Sequence, residues 1–214
     1  MAPSGIEQIA TAILGCALDH PVRVGIDGFC GAGKTTLANS LAALLISAGR
    51  NVIRATTDDF QNPPEVRWQL GDRSPIGFVR HQIDSAALRK HLLEPLGPGG
   101  TRSYRTSTYD VFASRPKMSP EYVAAPNEIL LLDGLFLHSA SLKGCFDLTV
   151  FVSASYETCV ARARARNQER SADLAELEAL YREKYIPGFE MYCHEVSPKE
   201  RASIVVETDA GSNR

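Results

Sequence analysis

The stretch from Val22 to Thr36, VRVGIDGFCGAGKTT, decides the fold of this 214-residue chain. An apolar run leads into Gly28-Phe29-Cys30-Gly31-Ala32-Gly33-Lys34-Thr35-Thr36, which fits the pattern G-x-x-x-x-G-K-[ST]. A helical pattern begins at Gly33, so the motif lies between a strand and a helix, as a phosphate-binding loop requires. Its four fixed positions would occur by accident in roughly 1% of chains of this length. We therefore predict a phosphate loop over residues 28–36.

The residue types in the phosphate loop suit a nucleotide. Glycines let successive backbone N–H groups and the helix N-terminus point at one anion. Lys34 would reach the β- and γ-phosphates, and the Thr35 hydroxyl would ligate Mg²⁺. Cys30 is either a spacer or, in the positive potential of the loop, a thiol of lowered pKa. The predicted nucleotide-binding residues are Gly28, Phe29, Cys30, Gly31, Ala32, Gly33, Lys34, Thr35 and Thr36.

Five nearly continuous apolar runs predict strands that are buried on both faces of a sheet. They cover residues 22–27, 51–56, 128–133, 147–152 and 202–207. Helices are expected between them, the clearest over residues 33–48, with Gly49 placed to end it. We predict an α/β fold, a five-stranded parallel sheet flanked by helices, in a single domain over residues 1–214.

The composition narrows the range of partners. The chain has 23 Lys and Arg residues against 25 Asp and Glu residues, and a formal net charge of -2 argues against polymeric nucleic acid. The apolar runs are far shorter than the roughly 18 residues of a membrane span, and residues 1–20 lack the basic start of a signal peptide. Five cysteines without a C-x-x-C pair predict neither disulfides nor a zinc site. We expect a cytoplasmic chain with no membrane partner, and a homo-oligomer stays open.

Acidic residues follow two predicted strands at the edge where the phosphate loop begins. Asp133 ends the run 128–133 and is predicted to support Mg²⁺ beside Thr35, although an aspartate after a strand also forms turns. Asp58 and Asp59 follow the run 51–56, so one or both carboxylates should face the loop. That is the place for a base that takes a proton from an acceptor hydroxyl. Paired acids that cap a turn are the alternative.

Two long segments, residues 61–77 and 96–120, interrupt the alternation of strands and helices. The second contains Tyr104, Tyr109 and Phe112, which are aromatic residues that can be buried. We predict that residues 96–120 form an insertion that covers the acceptor, with a packed surface loop as the alternative.

Several motifs, in order over about residues 20–207, resemble the phosphoribulokinase and uridine kinase family. They are the phosphate loop, T-D-D-F at 57–60, the strand ending in Asp133-Gly134, Tyr109-Asp110, Arg162-x-x-x-Arg166-Asn167 and Tyr181-x-x-x-Tyr185-x-Pro187-Gly188. The GTPase class is excluded, because the chain has no N-K-x-D motif and Asp133-Gly134-Leu135-Phe136 does not fit a D-x-x-G switch. The resemblance implies a P-loop NTPase fold like that of nucleoside monophosphate kinases. It also implies that ATP, with Mg²⁺, donates its γ-phosphate to a hydroxyl of a small molecule.

The resemblance further implies roles on the acceptor side. The D-S-F-Y motif of uridine kinases falls on residues 58–61, which makes Asp58 the base, with Asp59 as its neighbour and as the alternative base or a metal partner. Tyr109 and Arg115 are expected to contact the acceptor. Asp72 is expected to hold a ribose diol.

Two departures from the family pattern leave the acceptor open. Gln61 replaces the final tyrosine of D-S-F-Y, and Ser114 replaces a histidine that contacts the pyrimidine base. A nucleoside such as uridine or cytidine leads, and we expect a neutral acceptor with a free hydroxyl. Pantothenate-like or sugar acceptors are the runner-up. A regulatory module that binds ATP without catalysis is the alternative of another class.

Arg162, Arg166 and Arg170 stand at i, i+4 and i+8 and therefore share one helix face. Like charges so placed repel, so an anion is expected to visit them. We predict an arginine-bearing lid over about residues 162–185 that closes over the transferring phosphoryl group. The resemblance implies that Arg162 binds the nucleotide and that Arg166 is catalytic. A solvated helix face is the alternative.

Overall fold

A five-stranded parallel sheet lies at the centre of the protein, whose computed structural model describes residues 5–168 and 173–209. The strands are β1 (Val22–Gly28), β2 (Val52–Thr56), β3 (Ile129–Asp133), β4 (Leu148–Ser153) and β5 (Ile204–Glu207). Their order across the sheet is β2-β3-β1-β4-β5, and each neighbouring pair is parallel. The predicted α/β fold with a five-stranded parallel sheet is thus confirmed.

Helices cover the sheet and connect its strands. They are α1 (Gly5–Leu14), α2 (Lys34–Ser47), α3 (Pro64–Arg67), α4 (Pro75–His81), α5 (Ser85–Leu88), α6 (Tyr156–Gln168), α7 (Leu174–Leu180), α8 (Ile186–Val196) and α9 (Pro198–Arg201). Two π-helical turns, Arg89–Leu93 and Tyr181–Tyr185, extend α5 and join α7 to α8. In the described part of the chain, no helix is both long and apolar enough to cross a membrane.

The helix α2 begins at Lys34, within the phosphate-loop motif and one residue after the predicted start at Gly33. Its buried face is formed by Ala38, Leu41, Ala42 and Leu45, at the spacing of one helical stripe. Gly49 has a φ angle of +78° and ends the helix in a left-handed conformation that suits glycine.

The register of the sheet brings three functional segments to one edge. Asp133 at the end of β3 pairs with Ile26 of β1 and with Thr56 of β2. Because the strands are parallel, the phosphate loop after β1 and the acidic segment after β2 lie at the same carboxyl edge. The site is therefore placed by strand register rather than by any single motif.

The segments that interrupt the alternation are partly ordered into small elements. Residues 61–77 contain α3 and the start of α4. Residues 96–120 contribute to two short antiparallel pairs, Ser103–Tyr104 with Tyr122–Val123 and Tyr109–Asp110 with Arg115–Pro116. Tyr104 and Tyr109 are buried, as expected for packed aromatics, whereas Phe112 is 92% exposed.

The carboxyl edge of the sheet is tightly packed at Gly134, which follows β3. A Cβ atom there would overlap the side chain of Thr57, which is fully buried. The Thr57 hydroxyl also accepts a hydrogen bond from the backbone N–H of Leu135 at 3.2 Å, so it cannot move freely. We expect Gly134→Ala to lower the free energy of unfolding by about 2 to 3 kcal/mol.

Urea denaturation followed by circular dichroism measures this effect. Gly5→Ala is the matched control, because a Cβ atom at Gly5 meets nothing within 4 Å. Equal midpoints for the two variants would show that the edge accommodates the extra methyl group.

Candidate active site

The phosphate loop turns tightly around three glycines. Gly28, Gly31 and Gly33 have φ angles of +147°, +86° and +103°, which residues with a side chain rarely adopt. A Cβ atom at Gly31 would also lie 2.6 Å from the carbonyl oxygen of Cys159 in α6. The close approach of α6 to the loop therefore depends on glycine at this position.

The carboxylate of Asp27 anchors the start of the loop and is fully buried. Its Oδ1 accepts a hydrogen bond from the backbone N–H of Gly28 at 2.7 Å. Its Oδ2 accepts one from the Tyr192 hydroxyl at 2.6 Å and lies 2.9 Å from Nδ1 of His138. Burial, with the charge of Asp27 as a second cause, raises the pKa of Tyr192, so this hydroxyl remains a donor. The loop is thereby tied to α8 and to the segment after β3.

A cavity of about 410 Å³ opens between the phosphate loop, the carboxyl ends of β2 and β3, and α6. Predicted site residues from each of these elements line it: Cys30, Gly31, Gly33, Lys34, Thr35, Thr36, Asp58, Asp133, Arg162 and Arg166. The tertiary structure thus brings Asp58, Asp133 and Arg166 to the phosphate loop.

The ammonium group of Lys34 lies over the first turn of the loop. Its Nζ donates to the carbonyl oxygens of Gly28 at 2.9 Å and Phe29 at 2.8 Å. Both acceptors are neutral, so the positive charge of Lys34 is available to an anion in the cavity.

Thr35 and Asp133 form the predicted metal pair. The Thr35 hydroxyl donates to Oδ2 of Asp133 at 2.6 Å. Mg²⁺ prefers hard oxygen donors and is often held by one or two carboxylates together with substrate phosphates. In residues 5–168 and 173–209, no group of three or more His, Cys, Asp or Glu side chains could hold a metal ion by itself. The pair therefore fits Mg²⁺ that is bound jointly with a nucleotide.

Arg54 in β2 is a site residue that the sequence analysis missed. It pairs with the other carboxylate oxygen of Asp133, Oδ1, at 2.7 Å and donates to the carbonyl oxygen of Leu131 at 2.7 Å. The side chain of Asp133 is only 3% exposed, so its charge needs this compensation. The available signal was an arginine inside an otherwise apolar run, because buried charges are rarely left unpaired.

Asp58 and Asp59 point to different surroundings. Asp58 lines the cavity, and its Oδ1 accepts a hydrogen bond from the Gln61 side chain at 3.1 Å. Asp59 is half-buried and is absent from the lining. Burial, followed by the charges of Asp58 and Asp110, raises the pKa of Asp59. Of the two carboxylates, Asp58 therefore faces the cavity at the phosphate loop.

The remaining predicted acceptor residues lie outside the cavity lining. The Tyr109 hydroxyl is 3.0 Å from the Ser114 hydroxyl, so these two positions of the insertion are joined. Arg115 is exposed in the same hairpin. Asp72 is exposed, and its carbonyl oxygen accepts a hydrogen bond from Lys184 at 2.6 Å. Their contacts with an acceptor stay predictions.

The three arginines predicted to share one helix face do not have the same surroundings. Arg162 donates to the carbonyl oxygen of Ala32 at 3.2 Å and also binds Thr208. Arg166 is exposed at the cavity, and within residues 5–168 and 173–209 it forms no ion pair. Arg170 lies outside the described residues.

The thiol of Cys30 does not have the properties of a reactive cysteine. Burial raises its pKa, and this effect outweighs the opposing charges of Lys34 and Arg166. The thiol is thus less ionised than an ordinary cysteine, which favours the spacer interpretation.

A second cavity of about 440 Å³ adjoins the phosphate loop near Arg162. It is lined by Ile6, Ala32, Gly33, Thr36, Leu37, Ser40, Arg162 and Thr208. Aliphatic walls beside a phosphate loop suit the base of a nucleotide. Ile6 of α1 and Thr208 after β5 were not singled out from the sequence, because neither lies in a motif.

No protein-family model matches the chain. Two curated relatives are both named uridine kinase. The one from Brevibacillus brevis is 26% identical over 203 residues, which cover 92% of this chain and 89% of the relative. The one from Lactobacillus helveticus is 25% identical over 206 residues, with 92% and 90% covered.

Solved structures share the fold. A possible uridine kinase from Bacillus stearothermophilus has a TM-score of 0.73 and 21% identity, with 94% of this chain and 96% of that chain covered. A protein from Silicibacter sp. TM1040, provisionally described as a fructose transport system kinase, has a TM-score of 0.76 and 15% identity, with 96% and 100% covered. The P-loop NTPase fold and the resemblance to uridine kinase-like P-loop kinases are thereby confirmed. Together, the names of the relatives and the fold support an ATP-dependent kinase, which is a phosphotransferase.

The raised pKa of Asp59 has a consequence for stability. A carboxyl group whose pKa is raised by folding destabilises the protein when ionised, above that pKa, and this penalty disappears as the pH falls and the group is protonated. We expect Asp59→Asn to raise the melting temperature at pH 7, with the gain shrinking towards pH 4. Differential scanning calorimetry across this range measures it. A gain that is equal at both pH values would contradict the electrostatic cause.

Proposed function

We propose that this P-loop kinase transfers the γ-phosphate of ATP to a hydroxyl group of a small molecule, with Asp58 as the general base. One observation carries the proposal: Asp58 lines the same cavity as Lys34 and Thr35 of the phosphate loop. A carboxylate in this position can accept the proton of a hydroxyl that attacks a phosphoryl group bound by the loop. An ATP-binding regulatory module would not need a base there.

The residues of the loop would bind and orient the donor. Backbone N–H groups of the phosphate loop and the ammonium group of Lys34 would hold the β- and γ-phosphates. Thr35, with Asp133 beside it, would hold Mg²⁺, which neutralises phosphate charge when it is bound. Arg54 keeps Asp133 oriented, because both carboxylate oxygens already have partners.

Arg166 would act on the transferring group. Its guanidinium is exposed at the cavity, and no acid of the described residues competes for it. The phosphoryl group carries charge on its equatorial oxygens during transfer, and a guanidinium that meets this charge lowers the barrier. This arrangement supports the lid predicted over about residues 162–185.

For the acceptor, the names of the relatives favour a nucleoside such as uridine or cytidine. The side chains around Asp58 differ from the family pattern. Gln61, in place of a tyrosine, donates a hydrogen bond to Asp58, and the Ser114 hydroxyl is hydrogen-bonded to that of Tyr109. Nucleosides should therefore be tested as acceptors together with other hydroxyl compounds. We place the reaction in the cytoplasm, as expected from the sequence.

The test is release of ADP that depends on an added acceptor, measured with a coupled assay. In Asp58→Asn the shape of the side chain is kept but its basicity is lost, so kcat should fall by about 10² or more. The Kd for ATP, measured by calorimetric titration, should change little. Asp59→Asn is the matched control and should lose less activity, because Asp59 does not line the cavity. The reverse order would make Asp59 the base.

Arg166→Ala separates the lid from a solvated helix face. If the guanidinium contacts mainly the transition state, kcat should fall by about tenfold or more while ATP affinity changes little. Arg164→Ala is the control on the same helix, since Arg164 pairs with Glu178 and is absent from the cavity lining. Steady-state kinetics of both variants measure the difference. Wild-type kinetics for Arg166→Ala would show that this helix face is a solvated surface and not part of a catalytic lid.

A further inference from the structure

Arg67 is joined to the candidate base by a chain of hydrogen bonds. Its guanidinium donates to Oε1 of Gln61 at 2.8 Å, and Nε2 of Gln61 donates to Asp58 at 3.1 Å. The guanidinium carbon lies 5.4 Å from the ring centre of Trp68 and 6.0 Å from that of Tyr109. Arg67 is therefore one side chain away from Asp58, beside two aromatic rings of the acceptor side.

Lys184 brings a second positive charge to this region. The residue is 7% exposed, and its ammonium group lies 5.7 Å from the ring centre of Tyr185. Burial, followed by the charge of Arg67, lowers the pKa of Lys184, with a smaller opposing contribution from Asp72. The Lys184 ammonium group also donates to the carbonyl oxygen of Asp72, five residues after Arg67, so the two cations lie in the same part of the fold. Such a pair costs free energy unless an anion binds between or beside them.

Within the part of the chain that the structure describes, neither cation forms an ion pair. Their hydrogen bonds go to neutral oxygens, and Nε of Arg67 is buried without a hydrogen-bond partner. Glu176 and Glu183 both pair with Arg73 instead. Among the described residues, Asp72 offsets the charge of Lys184 only in part, and no acid forms an ion pair with either cation.

The phosphates of the donor do not account for the charge. The cavity at the phosphate loop is lined by Lys34 and Arg166, and neither Arg67 nor Lys184 contributes to it. Gln61 stands between Arg67 and Asp58. Arg67 therefore lies behind Asp58, outside the cavity at the loop, where an acceptor would extend.

We infer that Arg67 and Lys184 form an anion subsite, so that the acceptor is a hydroxyl compound which also carries a carboxylate or phosphate group. This inference rests on the proposed function, since the subsite is defined by its distance from the base. The planar guanidinium can donate two parallel hydrogen bonds to either anion, and the ammonium group adds a point charge. The acceptor then differs from the neutral one expected from the sequence.

The experiment is a panel of acceptors assayed with the wild-type protein and with Arg67→Gln, Arg67→Lys and Lys184→Met. Uridine and ribose are the neutral probes, D-glycerate and pantothenate carry a carboxylate, and ribose 5-phosphate carries a phosphate. We expect turnover with an anionic probe, and a KM for that probe that is about 10 to 100 times higher in Arg67→Gln. The KM for ATP should stay the same. The KM of Arg67→Lys for the anionic probe should lie between those of the wild type and Arg67→Gln, because lysine keeps the positive charge but cannot donate two parallel hydrogen bonds.

Arg50→Gln is the matched control, because Arg50 is half-buried just before β2, at the opposite edge of the sheet, and donates to the carbonyl oxygen of Asn127. It should leave the acceptor KM unchanged. The subsite would be overturned if a neutral probe were the best acceptor. It would also be overturned if neither Arg67→Gln nor Lys184→Met changed the KM for an anionic probe. The carboxylate and phosphate arms identify which anion is bound.

Absence of turnover with every probe would count against the proposed function, and binding then decides the subsite separately. A non-hydrolysable ATP analogue fills the phosphate loop, and each probe is titrated while the melting temperature is recorded. The subsite requires that an anionic probe stabilises the wild-type protein more than Arg67→Gln. If no anionic probe does so, the subsite is refuted whatever the reaction.

Discussion

The buried carboxylate of Asp27 is the contact on which the site depends. It binds the first N–H group of the phosphate loop, the Tyr192 hydroxyl of α8 and the ring of His138, and so connects three separate parts of the chain. A buried carboxylate without partners would cost several kcal/mol, so the fold is favoured when all of these donors stay in contact with Asp27. The loop consequently begins from a fixed point, and its glycines can approach α6 closely without losing their orientation.

Charge is distributed unevenly around that fixed loop. Lys34 and Arg166 give the loop cavity a positive side, while Asp58 and Asp133 line the carboxyl edge of the sheet. Arg54 neutralises Asp133, which leaves Asp58 as the carboxylate of the lining without a cationic partner. An ionised carboxylate next to bound phosphates repels them, and a hydroxyl placed between the two relieves this repulsion as it gives up its proton. In the proposed reaction, the same electrostatics would favour acceptor binding and proton transfer.

The acceptor side is assembled from segments that are distant in sequence. Gln61 and Arg67 come from the segment after β2, Tyr109 from the insertion, and Lys184 from the π-helical turn before α8. A small shift of any one segment would change the distances between the charges of this region. The kinase machinery at the sheet edge is insulated from such shifts, because parallel strand register holds it.

The sequence by itself determined the parts of the protein that follow from local pattern. The five strands, the phosphate loop and α2 were predicted because apolar runs and the glycine spacing restrict the backbone directly. The position of acidic residues at the ends of predicted parallel strands also predicted that Asp58 or Asp59, or both, and Asp133 would meet the loop. Only the tertiary structure decided which aspartate lines the cavity, that Arg54 compensates Asp133, that Ile6 lines the second cavity, and that neither Arg67 nor Lys184 forms an ion pair with an acid of the described residues. These depend on pairings between distant segments, and a side chain's charge partner is set by where the fold places it, which no local spacing encodes.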